Sequence, residues 1–352
     1  MAVRVGLIGL GEVAQLMHLP LLADDARFEI AAVTDVSPSL AAAMARRYGV
    51  PRIHASAEAL IADERLDLIF ILTPDHLHAP LLSAAIRSGR HVFVEKPVTL
   101  TEAELDPILA LQRAPGQVVF VGYMRRFSRP YLEMKRRRPP LSAIRHVRVR
   151  DVIREAPFFV AQTRHVFRPD DIPAAIMAEG KVHSDAARRT VMGDCCADAL
   201  RAHAVLTGLS SHSFSAMREL LGPPRGCPWA VQHGGETVLA AFDYGHFTAL
   251  YEAVIDDVSR FEAGIEVTTQ TQHFRLTYDT PYIRNLPTRL EITTSTDTDT
   301  GTEVLGPVYE DPFRLQLDAL HDSLVTGAPV KTSMEDAALD LKLFAEVARH
   351  FR

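Results

Sequence analysis

Cysteine is scarce in this chain: three residues in 352, two adjacent (Cys195, Cys196) and one distant (Cys227). Such a set makes no disulfide framework and fits no zinc-ligand spacing. A reducing, cytoplasmic setting is expected, with Cys195-Cys196 as buried packing. Long apolar runs are also missing; none approaches the roughly 20 residues needed to span a bilayer. The first residues read as a strand almost at once, which argues against a signal peptide. Excess positive charge is absent as well. The formal charge is −6, and the one dense basic run is Arg136-Arg137-Arg138, read as a solvated helix end. Neither nucleic acid nor a membrane is therefore expected as a partner. His183 and Asp185 have no third ligand at a helical spacing, so no metal is expected. No internal repeat is found.

What is present is ordinary for a globular enzyme: 47% hydrophobic and 23% charged residues, over a length that suits about two domains. Val3–Ile8 is an apolar strand broken by Gly9-Leu10-Gly11-Glu12-Val13-Ala14, with a helix predicted from about Val13 to Leu22. This is the G-x-G-x-x-A form of a dinucleotide fingerprint. Gly9 permits the turn, Gly11 lets the backbone approach a pyrophosphate, and the helix N-terminus offers free N–H donors. A second strand, Phe28–Thr34, ends at Asp35, whose carboxylate can accept from ribose hydroxyls and repel a 2′-phosphate. That favours NAD over NADP. Asp35 can also cap the helix Ser37–Tyr48.

The chain is organised around His91-Val92-Phe93-Val94-Glu95-Lys96-Pro97. Ile69–Leu72, the turn Thr73-Pro74 and a helical run His76–Ser88 precede it. The order strand, turn, helix, strand places Glu95 and Lys96 at the carboxyl edge of a parallel sheet, where open α/β sheets bind ligands. A weaker unit around Pro51–His54, a capping box at Thr101–Glu104 opening a helix to Gln112, and a strand Val118–Gly122 complete six strands. The expected fold class is α/β: a doubly wound Rossmann domain over 1–122, then an α+β domain over 123–352 with an open, mainly antiparallel sheet. The strands of that second sheet are predicted at Ile144–Val152, Thr237–Phe242, Phe247–Val254, Gly264–Thr269, Gln272–Tyr278 and Arg289–Thr294. Ser295–Gly301 reads as a polar loop. Helices Pro312–Thr326 and Ser333–Phe351 close the chain. The block Thr163–Met192 is left open between a lid and a subunit contact.

Taken together, Gly9-Leu10-Gly11, Asp35, Thr73-Pro74-Asp75-His76-Leu77-His78, Gly89–Pro97, Gly122-Tyr123-Met124-Arg125-Arg126-Phe127 and the closing Asp336–Ala345 helix resemble the Gfo/Idh/MocA oxidoreductases. The resemblance implies nicotinamide near Glu95-Lys96-Pro97, with Thr73, Pro74 and His78 lining the cofactor. It also implies a secondary alcohol or ketone of a sugar, inositol or related polyol as substrate, and a homodimer or homotetramer. The family's Asp-x-Gly-x-His-x-x-Asp is broken here. His212 is kept, but Gly208, Ser210 and Ser215 stand at the first aspartate, the glycine and the last aspartate. A serine holds no charge at neutral pH and cannot replace a carboxylate.

The candidate catalytic residues are Lys96, to polarise the substrate oxygen, His212 as acid or base, and Tyr123, which could equally pack in the core. Candidate cofactor residues are Gly9, Gly11, Glu12, Val13, Asp35, Thr73, Pro74, His78, Glu95, Lys96 and Arg125. For Arg125 and Arg126, a structural role, pairing across domains, is favoured over binding a carboxylate or phosphate. Glu95 is expected to hold the lysine by a charge-assisted hydrogen bond. Two other functions stay open: redox-assisted elimination or hydrolysis with tightly held NAD, and dinucleotide binding without turnover.

Overall fold

The computed structural model describes residues 2–163 and 165–351. The chain forms two compact units. The first comprises 1–122 with 164–187 and 316–338; the second comprises 123–163, 188–315 and 339–352. Two stretches distant in sequence therefore join the N-terminal unit.

The first unit is built on a parallel sheet of β1 (Val3–Ile8), β2 (Phe28–Thr34), β3 (Leu68–Ile71), β4 (His91–Glu95) and β5 (Val119–Gly122). Their order is β2-β1-β3-β4-β5. The strands are short and mainly apolar, with charged residues such as Arg4, Glu29 and Glu95 only near their ends, as suits a sheet buried on both faces. Phe70, Phe93 and Phe120 stack across β3, β4 and β5 with ring centroids 4.5 and 6.0 Å apart. The chain passes from β1 outward to β2 and back across to β3, so the order reverses between β1 and β3. Such switch points open a crevice at the carboxyl edge. The sixth strand expected around Pro51–His54 reduces to one isolated bridge, Ile53 to Val33, with Ile53 half exposed. A proline-led segment with one apolar residue has too little to bury.

Local signals set the helices. Ser37 caps the helix Pro38–Tyr48 by accepting from the Leu40 N–H, and Gly49 ends it in the left-handed conformation. Thr101 and Glu104 close a reciprocal capping box on Glu102–Leu109, which stops short of the predicted Gln112. The helix after Gly9-Leu10-Gly11 contains a π-helical turn, Ala14–His18, before Leu19–Ala23. Such turns insert an extra residue and collect at functional positions.

The second unit carries an eight-stranded sheet in the order β13-β12-β11-β10-β6-β9-β8-β7. The strands are β6 (His146–Ile153), β7 (Gly226–His233), β8 (Thr237–Asp243), β9 (Thr248–Ile255), β10 (Phe261–Thr268), β11 (Gln272–Tyr278), β12 (Thr288–Ser295) and β13 (Thr300–Val308). All pairs are antiparallel except β6 with β9. Alternate residues of β8 to β11 are buried, the period of a sheet with one covered face. Beneath it, Phe214 meets Phe242 and Tyr251 edge-on, at 5.2 and 4.7 Å. The other face carries cross-strand ion pairs such as Arg148–Glu252 at 2.8 Å and Arg275–Glu266 at 3.2 Å.

Two sequence expectations need correction. Cys195 is half-buried and Cys196 exposed, because they lie at the start of the helix Ala197–Val205 rather than in a core. The polar stretch Ser295–Gly301 is not all loop: its ends belong to β12 and β13, and the turn closes with the Thr296 N–H donating to the Asp299 carbonyl. The strands β7 and β13 are additional to those predicted. The basic triplet does sit at the end of the helix Arg129–Arg137, where Arg136 and Arg137 pair with Glu133 and Glu303. Among the described residues, no helix is long and apolar enough to cross a membrane.

Candidate functional site

In the first unit the turns leaving β1, β2 and β3 line a cleft of about 620 Å³, with Gly9, Gly11, Glu12, Asp35, Thr73 and Pro74 in its wall. That volume falls in the range of small-molecule and cofactor sites. Gly9 has φ +88°, and a Cβ there would meet the Leu72 carbonyl at 2.9 Å, so only glycine makes this turn. A Cβ on Gly11 would meet nothing within 4 Å, so the backbone there is open to an incoming group. Asp35 accepts from the Leu10 N–H at 2.7 Å and from the Ser37 N–H at 2.9 Å, joining the glycine turn to the next helix. Burial pushes its carboxyl up, while these two N–H bonds act the other way. These residues fit a dinucleotide: open backbone at a helix start, and a carboxylate ending the second strand.

The opposite wall comes from far along the chain. Phe167, Pro169, Ile172, Ile176 and Met177 line the cleft from the stretch after residue 164, which runs into the helix Ala174–Met192. Gln15 holds this stretch in ladder fashion, its amide donating to the Phe167 carbonyl at 3.0 Å and accepting from the Phe167 N–H at 2.8 Å. Arg168 pairs with Glu12 at 2.9 Å. Gly180 lies so close to the His76 ring that a Cβ would approach to 2.7 Å. The block left open between lid and subunit contact is thus a wall of the cleft in this structure.

Glu95 and Lys96 lie one strand further along the same sheet edge, at the end of β4, and are half-buried. Glu95 accepts from the Lys96 backbone N–H at 3.1 Å and shares a 2.8 Å hydrogen bond with His18 Nε2. His18 is 5% exposed, its ring edge-on to Phe70 and Phe93. Burial alone would raise the Glu95 carboxyl. The His18 bond and charge, the Lys96 charge and the Lys96 N–H outweigh it, so the carboxyl lies below its usual range. Sequence reasoning missed His18; the available signal was a lone titratable residue in the mainly apolar run Ala14–Leu22, whose other polar residue is Gln15. His78 is 1% exposed and outside the cleft wall. Its nitrogens face the Pro97 and Thr73 carbonyls at 2.7 and 2.9 Å, tying the Lys96-Pro97 turn to the Thr73-Pro74 turn. Val13 is 38% exposed and does not line the cleft.

The remaining candidates belong to the second unit. Arg125 is 3% exposed and donates to Asp151 at 2.7 Å and to Ser213 Oγ at 2.9 Å. Asp151, fully buried, also accepts from Tyr251 at 3.0 Å. Arg126 is equally buried and pairs with Glu219 at 2.6 Å. Tyr123 is 1% exposed, with the Arg126 guanidinium 5.9 Å from its ring centre. Both arginines thus pair, but inside the second unit and not across domains as expected. His212 is half-buried in the first turn of the helix Ser211–Leu221, directly after a second π-helical turn, Leu206–Ser210. Ser215 donates to the His212 carbonyl at 3.1 Å, so its hydroxyl is turned to the helix backbone. Gly208 is exposed, with open space where a side chain would stand.

Residues 3–123 match a family model described as an oxidoreductase family with an NAD-binding Rossmann fold. Over 138 residues, 39% of this chain, the sequence is 36% identical to inositol 2-dehydrogenase 1 of Saccharopolyspora erythraea, covering 41% of that protein. Over 133 residues, 38% of the chain, it is 29% identical to myo-inositol 2-dehydrogenase of Thermotoga maritima, covering 39% of it. The matched region thus spans about two-fifths of these relatives. Among solved structures, the 3-ketoreductase KijD10 of Actinomadura kijaniata in complex with NADP and TDP-benzene superposes with a TM-score of 0.75. It does so over 100% of this chain and 98% of that one at 17% identity, a likeness of fold.

Proposed function

We propose, from the membership of its N-terminal region in the Gfo/Idh/MocA oxidoreductases, that the chain is a dehydrogenase or reductase. Its substrate would be a secondary alcohol or ketone of a sugar, inositol or related polyol. The observation that carries this reading is the pair of turns on one sheet edge: an open glycine turn beside Asp35, and a lysine presented by a locked glutamate two strands away. A bound nicotinamide dinucleotide supplies or accepts the hydride. Gly9, Gly11 and the helix start after them hold its phosphates, Asp35 takes the ribose hydroxyls, and Thr73 and Pro74 line it. A carboxylate at Asp35 favours NAD over NADP, because a 2′-phosphate brought beside it adds charge repulsion.

The chain's own residues manage the proton and the developing negative charge. Lys96 donates from Nζ to the substrate oxygen and stabilises it as it becomes an alkoxide. The ionised Glu95, held by His18, fixes the backbone that presents the lysine. In the second unit, His212 carries or removes the proton, a task suited to imidazole near neutral pH. Homodimeric or homotetrameric assembly belongs to the same reading.

A second reading, dinucleotide binding without turnover, is favoured by one observation: neither aspartate of the family's histidine motif is present, and Ser215 serves the helix backbone. A panel of polyols and sugars, followed at the nicotinamide absorbance and by product analysis, separates the two. Net NADH formation or consumption supports the dehydrogenase. Tight cofactor binding with no product supports the silent binder, and product without net redox change supports redox-assisted elimination or hydrolysis.

A further inference from the structure

A second carboxylate stands beside Asp35, and it comes from the far wall of the cleft. Asp171 lies on the stretch that Gln15 and Arg168 fasten over the glycine turn. It accepts from the Ser37 hydroxyl and, through its other oxygen, from the Ser39 N–H at 2.9 Å. Ser37 is fully buried, and its own N–H already serves Asp35 at 2.9 Å. Asp35, Ser37 and Asp171 therefore form one continuous row along the end of β2 and the first turn of the helix Pro38–Tyr48. The hydroxyl and the N–H that Asp171 takes are donors of the kind an anionic oxygen would use. They are held instead by an anion the protein supplies itself. The charge of Asp171 also reaches Asp35, adding to the upward push on its carboxyl.

We propose that Asp171 is a second determinant of cofactor choice: it fills the anion position beside Asp35 and so turns away a dinucleotide bearing a 2′-phosphate. This rests on the reading of the cleft as a dinucleotide site. The position is selective because the two carboxylates differ in origin. Asp35 belongs to the sheet and is tied to the glycine turn, whereas Asp171 arrives on a stretch 134 residues beyond its serine partner. Removing Asp171 leaves the two backbone bonds of Asp35 in place, relieves the upward push on its carboxyl, and takes away the acceptor used by the Ser37 hydroxyl and the Ser39 N–H, while the Ser37 oxygen still caps the helix. Removing only its charge, in Asp171→Asn, keeps a carbonyl oxygen to accept one of the two bonds.

The test is a titration of the purified full chain with NADH and with NADPH, for the parent, Asp171→Ala and Asp171→Asn, at low and moderate salt. The proposal expects NADPH to bind about tenfold or more tightly in both variants, with NADH changed by less than about threefold. Because the discrimination is between charges, the gain should shrink as salt rises. An unchanged NADPH-to-NADH ratio in both variants overturns it. So does an equal weakening of both cofactors, which would make Asp171 only a fastening for the cleft wall. If the parent binds neither cofactor, the dinucleotide reading itself fails and takes this inference with it.

Discussion

Glu95 in the first unit and Asp151 in the second are both carboxylates opposite a base, yet their settings differ. Glu95 ends a strand, bonds to His18 and to the next backbone N–H, and leaves the lysine beside it at a sheet edge. Asp151 lies in mid-strand with no exposure, between Arg125 and Tyr251. The first arrangement presents a group; the second pins a core. Charged residues in a sequence do not announce which of these they will do. The deciding factor is whether the residue falls at a strand end or inside one.

The largest effect that would break this comparison is expected at Arg125. Arg125→Leu leaves Asp151 buried without its partner cation, which should cost about 3–5 kcal/mol of stability. A thermal or urea melt measures it. If stability barely changes and NADH affinity collapses instead, Arg125 belongs to cofactor binding and not to the core. Next in size is Gly9→Ala. The new methyl meets the Leu72 carbonyl at a φ of +88°, a strain of about 1–3 kcal/mol. NADH binding should weaken with it, while Gly11→Ala, which meets no atom of the protein, should weaken binding with little loss of stability.

A smaller, pH-dependent effect sharpens the same contrast. The Glu95 carboxyl lies below its usual range, so it stabilises the fold in its ionised form. That contribution is fully present above the ordinary glutamate value of about 4.3 and is lost as pH falls through the lower folded-state value. Melting temperatures of the parent and Glu95→Gln should therefore differ at neutral pH and converge in acid. Parallel curves over the whole range would show that the carboxylate's charge does not stabilise the unit.

Much of the first unit was legible because its signals are local. Gly9, Gly11 and Asp35 act through turns and strand ends set within a few residues, and Thr101 with Glu104 caps its own helix. His18 was harder to read: it is the one titratable residue of its run, but an inserted π turn changes which face of the helix it occupies. Nor was the far wall of the cleft: Gln15 and Phe167 meet across 152 residues, and no periodicity carries that pairing. In the second unit the alternating strands β8 to β11 could be read, but β13 is almost wholly exposed and shows no alternation. Arg125 and Tyr123 follow a strand whose carboxyl edge suggested the cofactor for one and the substrate for the other, and their deep burial is not readable from that position.

The most direct test is Lys96→Ala, measured twice on the same preparation: NADH affinity by titration, and turnover on whichever polyol or sugar the parent accepts. The account predicts NADH affinity within about threefold of the parent and turnover lower by roughly 10²–10⁴-fold. Turnover close to the parent's, with cofactor still bound, would contradict the role of Lys96 and with it the account of how this sheet edge works.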